Sequence, residues 1–294
     1  MPKCGYVSII GKPNVGKSTI LNYLLGEKLS IVSRKPETTR DSILGITNKG
    51  DDQAIFIDTP GIRKSRHTLD KYMVKKAYGS GQQSDLILFV LDATSFMSQE
   101  DRWIFDRIND WKKNTILLIN KVDRAKKPFL LPIIEKASKL YNFVDIIPIS
   151  ATEGIQMDLL KKLIFENLPE GVKLFPDEQF TDKSERFVAA EMIREKVLEF
   201  LWQEVPHSVA VLVEEMKEKE RENITYIHAT IYVERPSQKG IIIGEGGKML
   251  KQIGQVARRD MEKFFGRKVY LDLWVTVEKD WRNNPTVLRR LGYS

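Results

Sequence analysis

Residues 6–18 read YVSIIGKPNVGKS. A short run rich in apolar side chains, YVSII, leads into Gly11-Lys12-Pro13-Asn14-Val15-Gly16-Lys17-Ser18, and a helical pattern begins at Ser18-Thr19 and continues to 25. A G-x-x-x-x-G-K-[ST] run between a strand and a helix is the layout of a polyphosphate-binding loop. Glycines let backbone N–H groups curl around oxyanions, and the helix N-terminus adds partial positive charge. Lys17 is placed to reach the terminal phosphates, and the Ser18 hydroxyl to ligate Mg²⁺.

Outward from this loop, short apolar runs alternate with helical patterns through residue 168. The runs are 6–10, 54–58, 86–92, 115–120 and 145–150, and they show little apolar-polar alternation, as strands buried on both faces do. Helical patterns fall at 18–25, 70–83, 99–112, 129–140 and 155–167. Such alternation predicts a doubly wound α/β domain with a mostly parallel sheet. A further strand at 43–48 is expected to pair antiparallel with 54–58.

Three later segments fit the same chemistry. Asp58-Thr59-Pro60-Gly61 ends a strand and is followed by Ile62; its carboxylate can hold Mg²⁺ through water, and Gly61 can approach a γ-phosphate through its bare N–H. Asn120-Lys121-Val122-Asp123 ends another strand. The Asp123 carboxylate can accept two hydrogen bonds from guanine, whereas adenine would leave it unpaired. Ser150-Ala151 ends the run at 145–150, where a backbone N–H could reach guanine O6. Between the first motifs, the polar stretch Pro36-Glu37-Thr38-Thr39-Arg40-Asp41 reads as a switch segment, with Thr39 preferred to Thr38 as the residue that completes the Mg²⁺ shell.

The pattern breaks at 168–182, LPEGVKLFPDEQFTD, which holds two prolines and no periodicity; residues 170–180 read as a linker. The domains expected are 1–169 and 181–294. The second follows an α-β-β-α-α-β order: a helix at 184–202, strands at 209–215 and 224–234, and a glycine-rich turn at 244–247. An amphipathic helix with Leu250, Ile253, Ala257, Met261 and Phe264 on one stripe comes next, then a strand at 269–277. Gly244-Glu245-Gly246-Gly247 between two helices can grip nucleic-acid phosphates, aided by Lys248 and Lys251. The acidic Glu245 opposes that attraction. Residues 241–294 carry eleven basic and six acidic side chains, 11 − 6 = +5, whereas 181–240 carry nine and twelve, 9 − 12 = −3. Basic charge therefore gathers near this loop and the tail, where a polyanion would be met.

The 294 residues are 42% hydrophobic and 30% charged, enough to bury two cores, with a net charge of +7. Cys4 is the one cysteine, which excludes an intrachain disulfide and fits a reducing compartment. No signal-peptide layout is seen, and apolar runs such as 86–91 are much shorter than a membrane span. His67 reads as part of a solvated loop, Trp274 as exposed packing, and Trp281-Arg282 as either an RNA contact or a cover for the sheet end.

Together, GKPNVGKST, TTRD, DTPG, NKVD and SA resemble the translation-factor-related GTPases and, among them, the Era family. RPSQKGIIIGEGGKMLKQIG is similar to the type II KH domain of the same family. The resemblance implies a GTPase that needs Mg²⁺. With Ile62 where Ras-like enzymes have glutamine, it implies catalysis by backbone groups, metal and an ordered water. It implies that Asn14 helps bind an activating potassium ion. It further implies a cytoplasmic protein that binds the 3′ end of small-subunit ribosomal RNA and assists assembly of that subunit, with no obligate protein partner inferred. For some members it also implies association with the inner membrane surface. Two other readings are an RNA-binding protein that uses GTP as a regulatory ligand, and an ATPase with a KH-like tail; Asp123 argues against the second.

Overall fold

The computed structural model describes residues 1–33, 38–62, 67–95, 98–126, 128, 130–139, 141–201, 208–219 and 223–293. Pro36 and Glu37 of the expected switch stretch lie outside the described residues, as do residues 63–66 before His67. Apart from the short segments 33–35 and 66–72, the chain divides into a first compact unit ending at Asp182 and a second beginning at Lys183.

The first unit is the doubly wound α/β fold that the alternation predicts. Its strands are β1 (Cys4–Ile10), β2 (Ile43–Lys49), β3 (Asp52–Asp58), β4 (Leu86–Asp92), β5 (Asn114–Asn120) and β6 (Asp145–Pro148). They lie in the order β2-β3-β1-β4-β5-β6, parallel except for β2, which pairs antiparallel with β3. Five helices accompany them: α1 (Lys17–Leu25), α2 (Thr68–Gln83), α3 (Gln99–Trp111), α4 (Leu130–Ser138) and α5 (Met157–Glu166). Leu21, Leu24, Leu160 and Ile164 of α1 and α5 join one core with Val7, Ile9 and Phe56. Ala77, Ile104, Ile108 and Ala137 of α2, α3 and α4 join the other with Ile87, Phe89 and Ile119. Strands covered on both faces must be apolar throughout, which is why β4 is buried at every position.

The register pairs Ile9 with Asp58, Ile10 with Phe89 and Asp92 with Asn120. The carboxyl ends of β1, β3, β4 and β5 therefore share one edge, where open α/β sheets bind ligands. Strand β6 is shorter than the expected 145–150. Ile149 N still donates to Ile119 O, but Ser150 turns away to bridge Ile155.

The stretch after α5 is tied down. Cys4 N donates to Pro169 O, Ile46 N to Phe180 O, and Leu44 N to Asp182 Oδ1 at 3.1 Å. Gln53, fully buried on β3, accepts from Leu174 N and Phe175 N and donates to Phe175 O and Asn48 Oδ1. Residues 169–182 thus run past the starts of β1 and β3 and then along β2, although no periodicity announces them.

In the second unit, α6 (Glu185–Phe200) precedes β7 (Ala210–Lys219), β8 (Ile224–Val233), α7 (Pro236–Ile243), α8 (Lys248–Phe265), β9 (Lys268–Val277) and α9 (Pro285–Arg290). Central β8 runs antiparallel to β7 and parallel to β9. This is the KH arrangement expected. Ile227, Ala229, Ile231 and Val233 are buried on one face of β8; Thr230 and Tyr232 on the other are buried too. Ile253, Ala257 and Met261 are buried, but Leu250 and Phe264 are half-exposed.

The C-terminal segment, expected as a tail, is folded. Asn284 Oδ1 accepts from Thr286 N and Val287 N, and Pro285 opens α9. An Asn before a Pro is a helix-start signal. Trp281 is fully buried, donates Nε1–H to Ser208 O at 2.9 Å and stacks on Tyr293, so it is a core residue and not an RNA contact. Arg282 pairs with Glu234.

Candidate nucleotide and nucleic-acid sites

The phosphate loop closes around Lys17. Its ammonium donates to Gly11 O at 3.1 Å and Lys12 O at 3.0 Å, and burial lowers its pKa to about 8, against the opposing pull of Asp58. Gly16 sits at φ +103°, and a Cβ there would fall 2.2 Å from Asn120 Nδ2, so no other residue fits. Pro13 packs on Gly61, with no room for a side chain at Gly61. Ser18 and Thr19 stand in the first turn of α1.

Asp58 at the end of β3 collects hydroxyls. Its Oδ2 accepts from Ser18 Oγ at 2.8 Å, Ser30 Oγ at 2.7 Å and Thr39 Oγ1 at 3.2 Å, and the Ser18 and Thr39 oxygens lie 2.9 Å apart. Burial raises the Asp58 pKa despite those hydroxyls and Lys17. Its Oδ1 is buried without a hydrogen-bond partner. A hard, all-oxygen donor set with one orphaned carboxylate oxygen beside a phosphate loop suits Mg²⁺, which takes one or two carboxylates and completes its shell with phosphates and water. Thr38 is half-buried beside Thr39. Ser30 was not expected here. Asn22, in the second turn of α1, holds it by accepting from Ser30 N and donating to Ser30 O.

The rest of the DTPG segment has structural duties. Thr59 donates to Ile9 O at 2.7 Å. Ile62 is fully buried, and its N–H donates to Gly11 O, so its side chain orients no water.

The guanine candidates reach the same loop from β5. Asn120 Nδ2 donates to Val15 O at 2.7 Å, and Lys121 Nζ donates to Asn14 O at 2.6 Å and Asp92 Oδ2 at 2.7 Å. Asn14 and Lys121 both adopt positive φ. Asp92 is drawn up by burial, but bonds from Lys121 and Thr94 outweigh this and leave its pKa low. Asp123 Oδ1 accepts from Ser150 Oγ at 2.7 Å, and Val122 N donates to Ile149 O. The Ala151 N–H, a candidate for the base oxygen, donates to Asn120 Oδ1 at 3.2 Å.

In the second unit, Gly244, Gly246 and Gly247 all have positive φ, and a Cβ on Gly246 or Gly247 would meet nothing within 4 Å. Space therefore lies open over the turn. Glu245, Lys248 and Lys251 are exposed. Beside the turn runs a groove of about 450 Å³, lined by Gly247, Leu250, Lys251, Gln255, Arg258 and Tyr270 among others. Sequence reasoning missed Leu250, Gln255, Arg258 and Tyr270 as wall residues. The signal was present: 247, 251, 254/255 and 258 follow helical spacing along one side of α8. Trp274 is exposed, its Nε1–H donating to Asp272.

Comparison with known proteins adds the following. Residues 6–121 match the family described as "50S ribosome-binding GTPase", and residues 204–282 match the KH domain. The chain is 44% identical, over 100% of both chains and at a TM-score of 0.97, to Era crystallised with MgGDPNP and nucleotides 1506–1542 of 16S ribosomal RNA. It is 43% identical, over 99% of both chains and at a TM-score of 0.95, to a point variant of Aquifex aeolicus Era bound to GDP and AlF4⁻.

Proposed function

The chain belongs to the Era family, and from that premise we propose that it binds GTP, hydrolyses it to GDP and phosphate, and binds small-subunit ribosomal RNA through the KH unit. The observation that carries the first part is the convergence of two motifs far apart in sequence. Asn120 and Lys121 brace Val15 and Asn14 of the phosphate loop, so a base held by Asp123 and phosphates held by the loop belong to one ligand.

Gly11–Thr19 bind the phosphates, with Lys17 as their cation. Asn120–Asp123 and Ser150-Ala151 select guanine. Mg²⁺ would be held by Ser18 and Thr39, and by Asp58 through water; when bound it neutralises charge that develops on the phosphate oxygens. Thr38, Thr39 and the segment Asp58–Ile62 respond to the γ-phosphate. Because Ile62 is sealed in the core, no side chain from that position acts on water; an activating potassium ion would be held at Asn14. In the second unit, Gly244–Gly247, Lys248 and Lys251 take single-stranded RNA. The cellular role that fits is assembly of the small ribosomal subunit in the cytoplasm, with peripheral association at the inner membrane surface. Among the described residues no helix is long and apolar enough to cross a membrane.

Phosphate release over many turnovers tests this, in potassium and in sodium, with and without RNA of the small-subunit 3′ end. Hydrolysis is expected to be faster in potassium and faster again with RNA. Equal rates in the two salts would remove Asn14 from the mechanism. Binding of GTP without turnover in any mixture would leave GTP as a regulatory ligand alone.

A further inference from the structure

Lys12 lies inside the phosphate loop, yet its side chain points away from Lys17 toward α3. Its ammonium donates to Asp101 Oδ2 at 2.9 Å, Ser95 Oγ at 3.1 Å, Ser98 Oγ at 3.3 Å and Ser95 O at 3.5 Å. Asp101 is fully buried. Its Oδ2 also accepts from Ser98 N and Ser98 Oγ; the Ser98 N bond, with Asp101 N donating to Ser98 Oγ, forms the capping box of α3, while Oδ1 is buried with no hydrogen-bond partner. A buried carboxylate needs a compensating charge, and Lys12 supplies it. Through its own carbonyl, Lys12 accepts from Lys17 Nζ. A continuous path therefore runs from the α3 cap through Lys12 to the ammonium that meets the phosphates.

We propose that Asp101 is a positioning residue for the nucleotide site: it holds Lys12 so that the Gly11 and Lys12 carbonyls fix Lys17. This rests on the nucleotide reading above. The strut enters from the β4–α3 side, whereas Asn120 and Lys121 hold the other half of the loop at Val15 and Asn14. Released from Asp101, the first half of the loop gains freedom that each bound nucleotide must remove, so the complex dissociates faster.

The test is the dissociation rate of GDP carrying a fluorescent ribose label, measured for the full chain and for Asp101→Asn, Lys12→Met, Lys12→Arg and the double variant Lys12→Met/Asp101→Asn. Lys12→Met leaves the Ser98–Asp101 cap in place, so it reads the strut even if Asp101→Asn folds poorly. Each of these two single variants is expected to speed release by about tenfold. The double variant should be no faster than the quicker single, because both changes break one link. Lys12→Arg, which keeps the charge facing Asp101, should release labelled GDP more slowly than Lys12→Met. Unchanged rates, or effects that multiply in the double variant, would overturn the strut. So would release from Lys12→Arg as fast as from Lys12→Met. If the unaltered chain held no labelled GDP, the nucleotide reading would fall and the strut with it.

Discussion

At the scale of single residues, phosphate and guanine chemistry demand particular side chains at particular spacings. Lys17, Ser18, Asp58, Asn120 and Asp123 stand out in the sequence for that reason. Ser30 and Asp101 do not. A serine in an unpatterned loop and an acid in a helix's first turn have ordinary explanations, and only the fold brings them to Asp58 and Lys12. Asp123→Asn should lower the affinity for GTP at least tenfold and favour xanthosine triphosphate, whose carbonyl needs a donor where guanine offers an amine; nucleotide competition checks this. Asp92 gives a pH prediction. Its native pKa lies below the unfolded value near ~3.9, so its stabilisation is fully present above that value and is lost as pH falls through the native pKa. Asp92→Asn should cost about 1–2 kcal/mol at neutral pH, a difference that shrinks below about pH 4. Denaturant melts of both proteins across that range would expose an error, since a gap independent of pH contradicts the assignment.

Elements were read well where one periodicity dominated. Strand β4, apolar at every position, and β8, with its alternating faces, lie close to where the sequence puts them. One helix can serve two surfaces. On α8, Leu250 fits the apolar stripe by spacing, but the groove takes it from the core. A periodicity reports which residues avoid water, not which neighbour they face. The turn before α8 yields a prediction. Asp at both Gly246 and Gly247 places carboxylates against phosphate and loses the bare backbone. RNA affinity of the full chain should fall more than tenfold, with a smaller salt dependence, while GTP affinity holds. Because both residues have positive φ, the pair should also cost roughly 1–2 kcal/mol of stability. RNA titrations at two salt concentrations, beside a thermal melt, separate the two effects.

On the scale of the whole molecule, the pattern breaks after 168 while the first compact unit runs on to Asp182, and within the second unit basic charge gathers in residues 241–294. What composition hid is the course of residues 169–182. Their contacts are made by backbone groups and by one glutamine, and neither leaves a periodic trace. Gln53 satisfies the Leu174 and Phe175 backbone with every polar atom of its amide. Gln53→Leu keeps the volume but leaves those groups unpaired, at a cost of about 1–3 kcal/mol. The segment also bears on time. Amide hydrogens bound in a buried network exchange with solvent only when the network opens. Those of Leu174 and Phe175 should therefore exchange as slowly as neighbouring strand amides. The Gln53→Leu protein should lose that protection first at these two positions. A stretch with the composition of a spacer would then keep the same clock as the sheet it borders.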